Sequence, residues 1–126
     1  MGTGFKGDTY YHHSISENLK KVKEDYSFSN GLFGIRGDSS RERTRHIESD
    51  APEITSLDFY NKLAYGGIES ASSNGKAKIS KMEDGSTISY RLISSSDGSP
   101  VVEINIRKSS DSGGIKQQKI HFVKKG

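Results

Sequence analysis

The feature that most constrains this chain is the alternation of apolar and polar residues in three segments between Thr87 and Val123. Successive side chains of a β-strand point to opposite faces, so each segment predicts a strand with one apolar and one polar face. The apolar positions are Ile88, Tyr90, Leu92, Val102, Ile104, Ile106, Ile120 and Phe122. A single sheet that is packed on one side only satisfies all three patterns.

The polar positions of the same three segments carry charged and titratable groups. They include Arg91, Glu103, Asn105, Arg107, Lys119 and His121. A solvated sheet face is usually made of Thr, Ser, Lys and Glu, whereas a histidine and a carboxylate beside several cations are typical of a site that handles phosphate. The alternative interpretation is three amphipathic strands with ordinary solvated outer faces.

A first helix is expected near the start of the chain. Ser14 and Glu17 have the spacing of a capping box, in which the serine side chain caps the helix and the glutamate reaches back. Leu19, Val22 and Tyr26 then recur at helical spacing, which predicts a helix over 17–26.

A second helix is predicted between Asp50, as its N-cap, and the Gly66-Gly67 pair that ends it. Pro52 lies in its first turn, where the missing N–H costs nothing. The segment from Arg36 to Asp50 is polar and has no period, so we interpret it as a loop.

Four strands are predicted at Ala77–Ser80, Thr87–Ile93, Val101–Arg107 and Ile115–Val123. Two helices followed by a four-stranded antiparallel meander define an α+β fold, with N-terminal helices packed on the apolar face of a C-terminal sheet. We expect one domain over 1–126, with residues 1–13 as a loose leader.

The composition limits the classes of protein. Hydrophobic residues make up 30% of the 126 residues and charged residues 28%, which predicts a thin core. No apolar run approaches the roughly 20 residues that a membrane-spanning helix needs. The absence of cysteine excludes disulfides, thiolate nucleophiles and cysteine-bound zinc. We expect a monomer without a cofactor.

Charge is unevenly distributed along the chain. Residues 1–75 contain 9 Lys and Arg against 11 Asp and Glu, whereas residues 76–126 contain 10 against 5. The strand-rich half is therefore the basic half, which favours a polyanion as the partner. Lysines that protect a sheet edge from aggregation are the alternative explanation.

The polar face has the groups that cleavage of RNA without a metal requires. These are a base for the 2′-OH proton, an acid for the leaving 5′-oxygen and cations for the charge that develops on the phosphate. Glu103 and His121 are the candidate base and acid, and Arg91 and Lys119 the candidate cations. His46 is a further catalytic candidate. We expect no metal, whereas a deoxyribonuclease would normally recruit one through clustered carboxylates.

A basic segment, Arg41–His46, precedes the second helix and is suited to hold a phosphate backbone. The residues expected to bind RNA are Arg41, Arg43, Arg45, Ser95, Asn105, Arg107 and Lys116. A solvated loop is the alternative for this segment, and a non-catalytic RNA- or protein-binding module is the alternative for the whole polar face.

Several stretches of residues 45–123 resemble a known family. They are Arg45-His46-Ile47, Asp58-Phe59-Tyr60, Tyr65-Gly66-Gly67, Asp84-Gly85-Ser86-Thr87-Ile88, Ser94-Ser95-Ser96-Asp97-Gly98-Ser99-Pro100 and Lys119-Ile120-His121-Phe122. Together they are similar to the C-terminal toxin domains of bacterial polymorphic toxins, of the contact-dependent inhibition type. The resemblance is to the barnase/EndoU/colicin/RelE (BECR) group of ribonucleases.

This resemblance implies a ribonuclease toxin domain that cleaves RNA, with tRNA as the expected substrate, on the exposed face of an antiparallel sheet. It implies delivery as part of a larger secreted or cell-surface protein, action in the cytoplasm of a target bacterium, and a cognate immunity protein that blocks the active face. Catalytic residues vary within the group, so the role of Glu103 stays open between general base and electrostatic support.

Overall fold

The computed structural model describes residues 15–29, 32–36, 44–93, 98–107 and 117–125. Within these residues the chain forms two helices, α1 (Ile15–Asp25) and α2 (Pro52–Leu63). Its strands are β1 (Phe28–Ser29), β2 (Leu32–Phe33), β3 (Ile35–Arg36), β4 (Thr44–Ser49), β5 (Ile68–Ala71), β6 (Ala77–Lys81), β7 (Thr87–Arg91), β8 (Val101–Asn105) and β9 (Gln117–Lys124). Neither helix is long and apolar enough to cross a membrane.

Seven strands form one mixed sheet in the order β3-β4-β9-β8-β7-β6-β5, and β1 pairs with β2 separately. β4 and β9 are parallel, and the other neighbours are antiparallel. The α+β class is confirmed. The prediction of a four-stranded antiparallel sheet is wrong, because β3, β4 and β5 extend the sheet and one pairing is parallel.

The missed strand β4 lies in the segment that the sequence presents as a loop. Its residues Thr44–Ser49 are mostly half-buried on both faces, so they lack the alternation of a strand with one apolar side. The strand forms because β9, from the far end of the chain, pairs with it along its whole length, Thr44 with Lys119 through Ser49 with Lys124. The sequence of Thr44–Ser49 alone gives no indication of a strand partner so far along the chain.

The predicted packing of a helix on the apolar face of the sheet is seen for α2, whereas α1 packs chiefly against α2. Phe59, Tyr60 and Leu63 of α2 are at most 1% exposed and share one core with sheet residues such as Phe122. Phe59 makes edge-to-face contacts with Phe33 and Phe122, with ring centroids 5.1 and 5.5 Å apart. The apolar positions predicted in the three strand segments are all buried except Leu92, which follows β7 and is 47% exposed.

Buried side-chain amides connect distant parts of this core. The Asn18 Nδ2 of α1 donates to the carbonyls of Leu63 and Tyr65 at 2.9 and 2.8 Å, and so satisfies the end of α2. Gln118 of β9 accepts from the Phe33 N–H and donates to the Phe33 carbonyl, as a strand backbone would. These bonds hold α1 against the end of α2 and β2 against the sheet.

The predicted helix bounds need small corrections. α1 runs over Ile15–Asp25, and its predicted cap Ser14 lies outside the described residues, as does the leader 1–13. α2 has Ala51 rather than Asp50 at its N-cap, with no side-chain cap. The Ala51 N–H instead donates to the Ser49 hydroxyl at the end of β4, because strand and helix follow each other directly.

Candidate functional site

The outer face of the sheet, which points away from the helices, carries six of the twelve predicted site residues, and they lie in three rows. The register defines a histidine row of Arg91, Val101, His121 and His46. It defines a glutamate row of Ser89, Glu103, Lys119 and Thr44, and an amide row of Thr87, Asn105 and Gln117. Residues of one row lie on neighbouring strands, about 4.8 Å apart, and successive rows are about 6.8 Å apart along the strands.

The glutamate row places Glu103 directly opposite Lys119 on β8 and β9. Arg91 and His121 are the diagonal neighbours of Glu103, on β7 and β9, at about 7–8 Å. Glu103 is exposed and Lys119 is half-buried, and these two side chains form no ion pair within 4 Å in the described structure. The sheet therefore brings together four of the residues that the sequence predicts to be catalytic.

The histidine row contains two buried residues, Val101 and His121, whereas Arg91 at its end is exposed. His46 and His121 are partners in the parallel β4–β9 pair, with ring centroids 6.0 Å apart and ring planes at 83°. His121 is 4% exposed, and its Nδ1 lies 2.9 Å from the Ser99 hydroxyl. The sequence predicted the correct face for His121 but wrongly predicted that its side chain is exposed. The Ser99 side chain and Val101, the partner of His121 on β8, lie against it.

An open polar depression of about 310 Å³ lies over the other two rows. The outer-face residues that line it are Thr44, Thr87, Ser89, Glu103, Asn105, Gln117 and Lys119. The described residues that line it supply hydroxyl, amide, carboxylate and ammonium groups and no aromatic ring, so a ligand there is recognised through hydrogen bonds and charge. Sequence alternation identifies Gln117 as an outer-face position, although the sequence interpretation did not include it in the site.

Two predicted RNA-binding arginines lie apart from this depression. Arg107 follows the end of β8, and its side chain lies against the turn at Gly85. A Cβ at Gly85 would lie 3.4 Å from the Arg107 Cγ. Arg45 is in β4, not in a loop, and its Nη2 donates to the Gly34 carbonyl at 2.8 Å. Its Nε is buried without a hydrogen-bond partner among the described residues.

Arg45 therefore lies in a strand, where its guanidinium bonds to the backbone, and the prediction that it lies in a loop is wrong. Its contact with RNA stays a prediction. Position 34 requires glycine. Its φ of +76° is a backbone conformation that other residues rarely adopt, and a Cβ there would lie 2.5 Å from the His46 carbonyl oxygen. The remaining predicted RNA-binding residues lie outside the described residues. They are Arg41, Arg43, Ser95 and Lys116.

Strong pKa shifts occur on the helix side of the molecule. Burial raises the pKa of Tyr60 to about 12, and its hydrogen bond to Glu69 acts in the same direction, whereas that to Ser80 opposes it. Burial also raises the pKa of Tyr26, together with its 2.7 Å hydrogen bond to Asp58. These tyrosines belong to the packing between helices and strands, so they do not mark the outer face as a site.

The described residues contain no group of three His, Asp or Glu side chains placed to hold a metal ion. Comparison of the chain with protein-family models, with curated proteins and with solved structures gives no match. The assignment of a function therefore depends on the geometry of the outer face and on its chemistry.

Proposed function

We propose that this protein is an endoribonuclease whose active site is the glutamate row with the adjoining histidine row. One observation carries the proposal: Lys119 of β9 is directly opposite Glu103 of β8 and diagonal to His46 of β4, beside an open polar depression. Glu103 and His46 are two strand spacings and one row apart, about 12 Å at the backbone. A phosphate over Lys119 then has a carboxylate on one side and an imidazole on the other.

In the proposed reaction Glu103 takes the proton of the ribose 2′-OH, and the 2′-oxygen attacks the adjacent phosphorus. The bond from phosphorus to the 5′-oxygen breaks, and protonated His46 gives that oxygen a proton, which leaves a 2′,3′-cyclic phosphate and a 5′-OH. Lys119 and Arg91 stabilise the added negative charge of the transition state. His121, held by Ser99 and in ring contact with His46, is a positioning residue in this scheme.

The biological setting is proposed from the family resemblance and from the basic strand-rich half. In it the domain is the toxin part of a larger secreted or cell-surface bacterial protein, acts on tRNA in the cytoplasm of a target cell, and is neutralised by a cognate immunity protein. Such an inhibitor would cover the outer face, since that is where substrate binds.

Incubation of the purified protein with total RNA in excess EDTA tests this proposal. We expect discrete tRNA-sized fragments that end in 2′,3′-cyclic phosphate. A His46→Ala variant should lose cleavage, and it should also relieve the growth arrest that we expect when the protein is expressed in bacteria without an inhibitor. Activity that disappears in EDTA and returns with magnesium would instead indicate metal-assisted hydrolysis.

The burial of His121 and Val101 favours a second candidate, an RNA-binding module without catalysis. Buried polar side chains with a hydrogen-bond partner commonly have a structural role. This module would bind RNA with a steep salt dependence and leave the RNA intact after long incubation. The same incubation therefore separates the two candidates.

A further inference from the structure

The amide row offers a way to recognise a nucleobase beside the proposed cleavage site. Asn105 and Gln117 are directly opposite each other on β8 and β9, with Cβ atoms about 4.5–5.5 Å apart, and both side chains are exposed. They line the 310 Å³ depression together with the hydroxyl of Thr87. We infer that this end of the depression is a specificity pocket for adenine, an inference that rests on the proposed function.

The chemistry of the two amides supports adenine over the other bases. Each amide has one acceptor and one donor group, which pair with the N6–H donor and the N7 acceptor of adenine in a bidentate manner. Adenine presents this donor-acceptor pattern at its N7 edge and again at its N1 edge, so both amides can pair with it. Guanine presents two acceptors at its N7 edge, and cytosine has a single matching edge, so neither base pairs with both amides in this way. Discrimination by one such pair is roughly tenfold to a hundredfold.

The position of the amide row also suits this role. It lies one row, about 6.8 Å along the strands, from Lys119. A nucleotide whose phosphate lies over Lys119 can therefore place its base between Asn105 and Gln117. The amide row itself carries no charged side chain among Thr87, Asn105 and Gln117, so selection there is by hydrogen-bond pattern and not by charge.

Cleavage of short RNAs that differ only in the base next to the scissile bond tests the inference. The protein should cut beside adenine roughly tenfold to a hundredfold faster than beside guanine or cytosine. Asn105→Asp replaces an amide by an acceptor-only carboxylate and should move the preference towards guanine, whose N1–H and N2–H groups are both donors. Asn61→Asp is the matched control, since it makes the same charge change on an exposed residue of α2.

No base preference in the wild type, or the same base preference in Asn105→Asp and Asn61→Asp, overturns the inference while leaving the proposed cleavage intact. Titration with adenosine 5′-monophosphate, followed by NMR signals of the Asn105 and Gln117 side-chain amides, gives a readout that needs no catalysis. If these signals shift with this nucleotide and not with cytidine 5′-monophosphate, but RNA stays uncut, the pocket stands and the proposed catalysis fails.

Discussion

The two faces of the sheet use polar residues in opposite ways. On the helix face two polar side chains are buried and paired: Gln118 is 5% exposed and bonds both backbone groups of Phe33, and Ser80 is 2% exposed and bonds the Tyr60 hydroxyl. On the outer face Glu103 and Asn105 are exposed. Since a buried polar group costs free energy unless it is paired, the helix face is optimised for stability and the outer face is available for a ligand.

His121 is the residue that does not fit this division. It lies on the outer face, yet it is buried and bonded like the polar groups on the helix face. Both the contrast between the two faces and the structural role of His121 can be tested by substitution.

The largest effect is expected for Lys119→Ala. The single-turnover rate of RNA cleavage should fall by about 10²–10³, because one preorganised charge contact to the transition state is lost. The free energy of unfolding should change by less than about 0.5 kcal/mol. Lys76→Ala, at an exposed lysine before β6, is the control and should retain the full rate. An equal loss in both variants would mean that the lysines act only through net charge.

The neighbours Gln118 and Gln117 provide the cleanest test of the two faces, because they are the same residue type on opposite sides of β9. Gln118→Ala leaves the Phe33 N–H and carbonyl without a buried partner, so the free energy of unfolding should fall by about 2–4 kcal/mol. Gln117→Ala should cost less than about 0.5 kcal/mol. Urea denaturation measures both, and similar losses would refute the contrast.

The pH dependence of stability sharpens the description of the helix face. The unfolded chain loses the Tyr60 proton near the ordinary pKa of 10.0, whereas the folded protein holds it to about 12. The folded pKa is raised, so this contribution to stability is complete below pH 10 and is lost as the pH rises towards 12. The loss at Tyr60 is about 2–3 kcal/mol.

Tyr60→Phe should therefore have a shallower decline between pH 10 and 12 than the wild type, on urea melts at each pH. Part of the decline remains in this variant, because the pKa of Tyr26 is also raised. Tyr65→Phe, at a tyrosine that is 55% exposed, should decline as the wild type does. Identical curves for the wild type and Tyr60→Phe would contradict the proposed burial effect.

The smallest effect concerns His121. His121→Ala should lower the free energy of unfolding by about 1–2 kcal/mol, because a buried side chain and its hydrogen bond to Ser99 are lost. His46→Ala, at a half-buried position, should cost less, yet it should reduce cleavage more. If thermal melts show no loss for His121→Ala while cleavage disappears, His121 acts directly on the substrate and the assignment of the acid moves to it.

Local pattern predicted the parts of this fold that local forces determine. The alternation in β7, β8 and β9 assigned each side chain to its observed face, and helical spacing located α2 closely. It did not predict β4 or β5. β4 is half-buried on both faces, and β5 is exposed along its whole length, so neither has the one-sided pattern that identifies a strand.

The candidate site was predictable to a similar extent. The alternation of side chains along each strand was sufficient to group Arg91, Glu103, Lys119 and His121 on one face. The burial of His121 was not predictable, because it depends on Ser99, which lies 22 residues earlier. The partner of His121 was missed for the same reason: His46 reaches it only through the parallel pairing of β4 with β9.

The central position of β9 has a consequence for the time at which the proposed activity can arise during synthesis. β9 is the last of the described strands to be made, and it lies between β4 and β8, which have no other contact through the sheet. Until Gln117–Lys124 leave the ribosome, Glu103 and His46 belong to unconnected strands and Lys119 is not yet in place. A ribonuclease synthesised in this order would not cleave the RNA of the ribosome that makes it until β9 pairs with β4 and β8.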